Sequence, residues 1–321
     1  MSGEATRAAG GPRPRWRSLL LVWGPFAVAV VALLASGQAR AVARAIGDAR
    51  PGPLLVLLGV GVALPVVHAR RWQTMLRAVA ADVPLPHAVE MTVTASLVNY
   101  AVPGYAGSPV KGVLARQLHD VGFGRSLPTL AAEQVLDAAA LALGAVVGLA
   151  LAGPSALAWI GALDGPSWPA VLAGGAVVLG GVGMAVLIAR RCAGRFVERV
   201  VASGRMLAAD RGRWAPVLVL TATYWGMNVA AVWLGARAVG LTLGPVELLL
   251  LANLPLLVGL ASPLPGGLGL REGAMAGVAG VIGVPVAAIV AAAVLHRGVL
   301  VAALPLALGG ARLARGYGQW R

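Results

Sequence analysis

Six apolar stretches, each close to the 20 or so residues a helix needs to cross a bilayer, constrain this chain most. They lie at about 18–35, 52–69, 128–151, 169–189, 215–239 and 286–309. Two further apolar regions, 88–119 and 246–283, are broken in the middle by proline and glycine. Backbone in hydrocarbon must satisfy its own hydrogen bonds, so these stretches predict an all-α polytopic membrane protein. Composition agrees: 59% of the 321 residues are hydrophobic and 12% charged, against roughly 25% charged in soluble proteins. So few polar side chains exclude an ordinary soluble enzyme, and such hydrophobicity excludes disorder. The single Cys192 excludes a disulfide scaffold.

The net charge of +14 has no basic domain to carry it, so no nucleic-acid partner is expected. Arginines instead set orientation. They cluster before the first span, along 190–214 and in the tail, which the positive-inside rule assigns to the cytoplasm. Arg70, Arg71 and Arg77 fall on the same side after two spans. The linkers 152–168 and 240–245 have no basic residue and read as external, while Arg40, Arg44 and Arg50 in 36–51 fit this scheme least well. Parity then requires 88–119 to start and end inside and 246–283 to start and end outside. Both are expected to be re-entrant hairpins, entering from opposite faces. The scheme is about six full spans plus two hairpins in two inverted repeats, about 18–151 and 169–311. It forms one transmembrane domain over 18–311, between cytoplasmic segments 1–17 and 312–321, in the cell membrane with both termini cytoplasmic. Residues 1–35 also have the layout of a signal peptide, but removing them sets the remaining topology against the charge pattern.

The hairpins share a turn motif. Pro103-Gly104-Tyr105-Ala106-Gly107 and Pro265-Gly266-Gly267-Leu268-Gly269 both read P-G-x-x-G, 162 residues apart. Paired breaks of this kind point to a transporter's binding site. Ser108-Pro109 reads as a helix cap and first helical residue, so the returning half-helix begins inside the membrane with its N–H groups facing a cavity. Lys111, the one lysine of the chain, follows closely. In the second hairpin Gly266, Gly267 and Gly269 expose backbone beside Arg271. Two helix N-termini with Lys111 and Arg271 predict an anion site, and in a membrane the natural anion is a lipid phosphate. Asn99 and Asn253 are expected to support the freed backbone at the two tips.

Glu133 and Asp137, four apart, share one helix face. Asp137 lies about 14 Å in from the cytoplasmic end of its span and Arg297 about 17 Å in from the outer end of its own. Charges at that depth are usually paired or functional, so Glu133 or Asp137 is predicted to pair with Arg297 across the repeat interface. Glu272 is the other acid in reach of the second hairpin. The four histidines have no metal-ligand spacing and no P-loop is present, so neither metal nor cofactor is expected.

The run from Arg71-Trp72 through Asn99, Pro103-Gly104 and Gly107 to Glu133 and Asp137 resembles one half of a known pattern. Pro265-Gly266-Gly267-Leu268-Gly269-Leu270-Arg271-Glu272, with Arg297, resembles the other. The family is the flippase-like integral membrane domain, also called the lysylphosphatidylglycerol synthase transmembrane region; the resemblance covers about 52–311. Members that synthesise aminoacyl lipids carry a soluble transferase domain after this region, whereas here the sequence ends soon after the last span. The resemblance therefore implies lipid movement or binding, not lipid synthesis.

The expected function is translocation of an anionic phospholipid or polyprenyl-phosphate lipid by a flippase- or scramblase-like carrier, without catalysis. Two alternatives stay open. One is an intramembrane enzyme with Glu133 or Asp137 as base and Arg271 and Arg297 holding phosphate. The other is a scaffold for a separate lipid synthase. Expected partners are membrane lipids, with a homo-oligomer or a separate lipid-modifying enzyme left open.

Overall fold

In a computed structural model of the protein, residues 39–101, 107–153, 211–260 and 265–318 are described. The apolar runs 18–35 and 169–189, the arginines between 190 and 210, Cys192 and the first hairpin tip, Pro103 and Gly104 included, lie outside them. Among the described residues there are nine α-helices and no strand. They are α1 (Ala39–Gly47), α2 (Pro51–Ala78), α3 (Leu85–Ala101), α4 (Gly107–His119), α5 (Phe123–Ala152), α6 (Arg211–Ala238), α7 (Pro245–Leu260), α8 (Leu270–Val281) and α9 (Val286–Gly318).

Among the described residues four helices are long and apolar enough to cross a membrane: Pro51–Ala78, Phe123–Ala152, Trp214–Ala238 and Val286–Gly316. Their outward faces carry exposed aliphatic side chains such as Leu55, Leu143, Val146, Val219 and Leu306. In water such a surface would be unfavourable; against acyl chains it is the matching solvent. The protein is a membrane protein. Two of these helices outrun the apolar stretch that announced them. α2 continues nine residues past 69 and α9 nine past 309, and both extensions carry arginine.

The helices between the long ones are short. α3 and α4 have 17 and 13 residues, α7 and α8 have 16 and 12. At 1.5 Å per residue they reach about 18–26 Å, less than the roughly 30 Å of a hydrocarbon core. Each pair reverses direction. The Gly107 N–H donates to Asn99 Oδ1 at 2.7 Å, which fastens the start of α4 to the end of α3. A side chain at Gly107 would run into the Ala95 carbonyl and the Asn99 amide, so only glycine allows that approach. Between α7 and α8 the chain turns through a short 3₁₀ segment, Pro265–Gly267, with Gly266 and Gly267 at φ 55° and 68°. Those left-handed angles favour glycine, and a Cβ on Gly266 would sit 2.8 Å from the Tyr100 ring.

A repeated order emerges: long, short, short, long, with 28, 17, 13 and 30 residues in α2–α5 and 28, 16, 12 and 33 in α6–α9. The two sets interlock. α2 packs along α6, α3 lies on α9, and α7 lies on α5, so each hairpin rests on the last long helix of the other set. Trp72, Leu76, Met91 and Val93 form the largest buried cluster with Leu304 and Ala307 of α9. Leu251, Met275, Ile289 and Ala292 form a second. Small residues permit the closest approach: Gly61 of α2 meets Ala303 and Leu300 of α9. The short α1 seats Val42 against Val290 and Ala291.

Candidate functional site

Between the interlocked sets lies a partly open cavity of about 240 Å³. Ser108 and Arg271 both line it, and each is the second residue of its hairpin's returning helix. Lys111, Glu133 and Asp137 line it as well, and so does Gly266 of the second turn. Gly107, Gly267 and Gly269 shape the backbone without lining the cavity. Ser108 lies within helix α4, which is described from Gly107 onward, rather than at a cap before it. Its hydroxyl accepts from Gln134 Nε2 at 3.4 Å.

One buried charge cluster joins α2, α4, α5 and α6. Arg71, with no exposed surface, donates through Nη1 to Asp137 Oδ1 at 2.6 Å and through Nη2 to Asp137 Oδ2 at 3.1 Å. The same Nη2 reaches Glu133 Oε1 at 3.3 Å. Lys111 donates to Glu133 Oε2 at 3.1 Å and lies 4.4 Å from the centre of the Trp72 ring. His68 Nε2 stands 2.6 Å from Glu133 Oε1. Trp225 Nε1 donates to Asp137 Oδ1 at 2.9 Å, and the Tyr224 ring faces the Arg71 guanidinium at 5.1 Å. Local periodicity explains the arrangement. His68 and Arg71 are three apart on α2, Glu133 and Asp137 four apart on α5, so each pair presents one face. Two cations balance two carboxylates, which is what a low-dielectric interior requires.

A second cluster belongs to the other hairpin. Arg297 of α9 pairs with Glu272 at 3.0 Å and donates to the Gly266 carbonyl at 3.0 Å. Glu272 also accepts the Gly269 N–H at 2.9 Å, closing the first turn of α8. Arg271 Nη2 lies 3.5 Å from His296 Nδ1.

This geometry corrects the expected pairing. Glu133 and Asp137 bond Arg71 and Lys111, whereas Arg297 bonds Glu272; each acid is neutralised within its own set of helices. Depth along a helix gives one coordinate only, and the direction a side chain faces decides its partner. Arg71 is likewise not a cytoplasmic loop charge: α2 runs on past its apolar stretch and turns this residue inward. Asn253 does not support the second tip. Its amide donates to the Leu249 carbonyl of its own helix at 2.7 Å and packs on Gly144. Sequence reasoning assigned no role at the site to His68, Tyr224 or Trp225, although each is polar inside or beside an apolar run. Among the described residues no three His, Cys, Asp or Glu side chains gather as a metal site would need.

A comparison with curated proteins found no match. The family model described as Lysylphosphatidylglycerol synthase TM region matches residues 16–309, nearly the whole chain and all of the elements that build this cavity. The chain belongs to that family of membrane proteins.

Proposed function

We propose that the protein carries an anionic lipid between leaflets, binding its phosphate in the cavity between the two hairpins. The observation that carries this reading is the meeting of Ser108 and Arg271, from the first turns of α4 and α8, in one cavity with Lys111. Helix N-termini attract anions through free N–H groups and the helix dipole, and arginine adds a planar fork suited to phosphate. Leu256, Leu260, Leu300 and Leu304 line the same cavity and suit the lipid's tail. In this reading the hairpins re-enter from opposite faces, as two inverted repeats in the cell membrane. The cytoplasmic end is the one with Arg70, Arg77, Arg116, Arg125, Arg312 and Arg315; the far end has Arg40, Arg44, Arg50 and Arg237.

One observation favours a second reading. Glu133 and His68, 2.6 Å apart at the cavity wall, are an acid–histidine pair of the kind an intramembrane enzyme would need. Against it, Arg71 and Lys111 already occupy the Glu133 carboxylate, which leaves a poor base. Leaflet exchange of fluorescent anionic lipid in liposomes separates the two. The carrier speeds exchange over empty liposomes, Arg271→Ala slows it in folded protein, and the lipid is recovered chemically unchanged. Lipid recovered altered at its phosphate would support the enzyme, and no exchange with any phosphate-bearing lipid would end the carrier reading.

A further inference from the structure

We propose that the carrier is proton-coupled: His68 takes up a proton as the lipid phosphate enters the cavity, so lipid and proton cross together and a proton gradient drives the lipid. The proposal rests on the lipid-phosphate reading above and adds what powers the movement. His68 lines the cavity with 22% of its side chain exposed, and its Nε2 stands 2.6 Å from Glu133 Oε1. Glu133 is buried, and among the described residues its other partners are Lys111 at 3.1 Å and Arg71 Nη2 at 3.3 Å. That Arg71 nitrogen also bonds Asp137 at 3.1 Å. Lys111 is therefore the cation that Glu133 does not share with Asp137, and Lys111 lines the cavity as well.

A phosphate held by Lys111 changes the surroundings of Glu133. One ammonium shared by a carboxylate and a phosphate neutralises each only in part, and a second anion comes close to the His68 ring. An anion close by favours the charged form of an imidazole, and a buried carboxylate without its counter-charge is costly. A proton taken from water in the partly open cavity turns His68 into an imidazolium against Glu133. When the phosphate leaves, Lys111 returns to Glu133 and the proton goes back to water on the side where the lipid left. The charged and titratable groups facing His68 are Arg71 on its own helix, Lys111 on α4, Glu133 and Asp137 on α5, and Tyr224 on α6, whose ring lies 4.9 Å away. From α3 and α9 the cavity wall carries Thr92, Leu300 and Leu304, none of which titrates. His296 is placed differently. Its Nδ1 lies 3.5 Å from Arg271 Nη2 and it adjoins Arg297, so a proton there would stand among arginines rather than against an acid.

The test is binding of short-chain phosphatidylglycerol to the purified full chain in detergent, measured by calorimetry at about pH 7.5 and about pH 5.5. Its phosphodiester keeps its single charge across that range, so a pH dependence belongs to the protein. Lipid and proton affinities are linked reciprocally. Binding should therefore tighten about tenfold as the pH falls, and two buffers of different ionisation enthalpy should reveal proton uptake on binding. His68→Gln keeps an N–H for Glu133 but cannot take a proton, so its binding should be the same at both pH values, whereas His296→Gln should tighten like wild type. Wild-type binding that is flat with pH or weakens as pH falls overturns the proposal and leaves the lipid-phosphate reading standing, as does an undiminished pH dependence in His68→Gln. No binding at either pH overturns the proposal, and the leaflet-exchange assay above then decides the lipid-phosphate reading by itself. If His68→Gln folds poorly, proton uptake by the wild-type protein decides alone, and its absence overturns the proposal.

Discussion

Arg71→Met removes the cation that ties α2 to α5 and nearly preserves side-chain length. The guanidinium is fully buried and makes two bonds to Asp137 and one to Glu133. After the substitution Glu133 keeps Lys111 and the nearby His68, but Asp137 keeps only the Trp225 N–H among its described partners. Breaking a buried pair from one side costs about 3–5 kcal/mol, because a charge is left uncompensated. At roughly 2 °C per kcal/mol for a chain of this size, the midpoint should fall by about 6–10 °C. Thermal unfolding of the detergent-solubilised protein, followed by tryptophan fluorescence, reads this directly. Adding Asp137→Asn removes the stranded charge and should return part of the loss, so the double variant should unfold above Arg71→Met alone. An unchanged midpoint for Arg71→Met, or losses that simply add in the double variant, would refute the coupling.

Three smaller perturbations test other parts of the fold. Gly61→Ala places a Cβ 2.8 Å from Ala303 Cβ and should cost about 1–3 kcal/mol of overpacking between α2 and α9, measured by the same unfolding assay. Asn99→Ala removes the acceptor of the Gly107 N–H; the orphaned donor should cost about 1–3 kcal/mol, and hydrogen exchange at the start of α4 should rise. His119, at the foot of α4 and 4.7 Å from the His87 ring, is held below its ordinary value by burial and then by His87. A base lowered in the folded state makes the unfolded chain bind more protons, so stability falls as pH drops through about 6.5; unfolding midpoints between pH 7.5 and 5.5 should show a smaller loss in His119→Gln.

The long helices and the broken pairs between them were legible because membrane burial writes itself as apolar length, and a break between two helices as proline and glycine. Gly107 and Gly266 stand where the backbone and Tyr100 come too close for any side chain, so at these two positions of the P-G-x-x-G motifs glycine is required by packing. The ends of α2 and α9 were not legible. Hydropathy stops where arginine begins, yet a helix continues as long as its buried face is filled, and Trp72, Met75 and Leu76 fill it on α2. Arg71 was hidden by the same step, since counting arginines by side treats every charge after a span as wet. Partner choice was illegible for a different reason. Lys111 of α4 and Glu133 of α5 meet at a sequence separation of 22, and Glu272 and Arg297 face each other from α8 and α9. These are local contacts within each set, and they displace the longer-range pairing that matching depths suggested.

The central claim is that one cavity, built from both hairpins, holds a lipid phosphate. Mass spectrometry of the lipids that co-purify with the wild-type protein and with Arg271→Ala tests it most directly. About one phosphate-bearing lipid should be retained per wild-type chain and lost from Arg271→Ala, with both proteins equally folded. The same lipids in the same amounts on both proteins would contradict it, as would a wild-type protein that retains none.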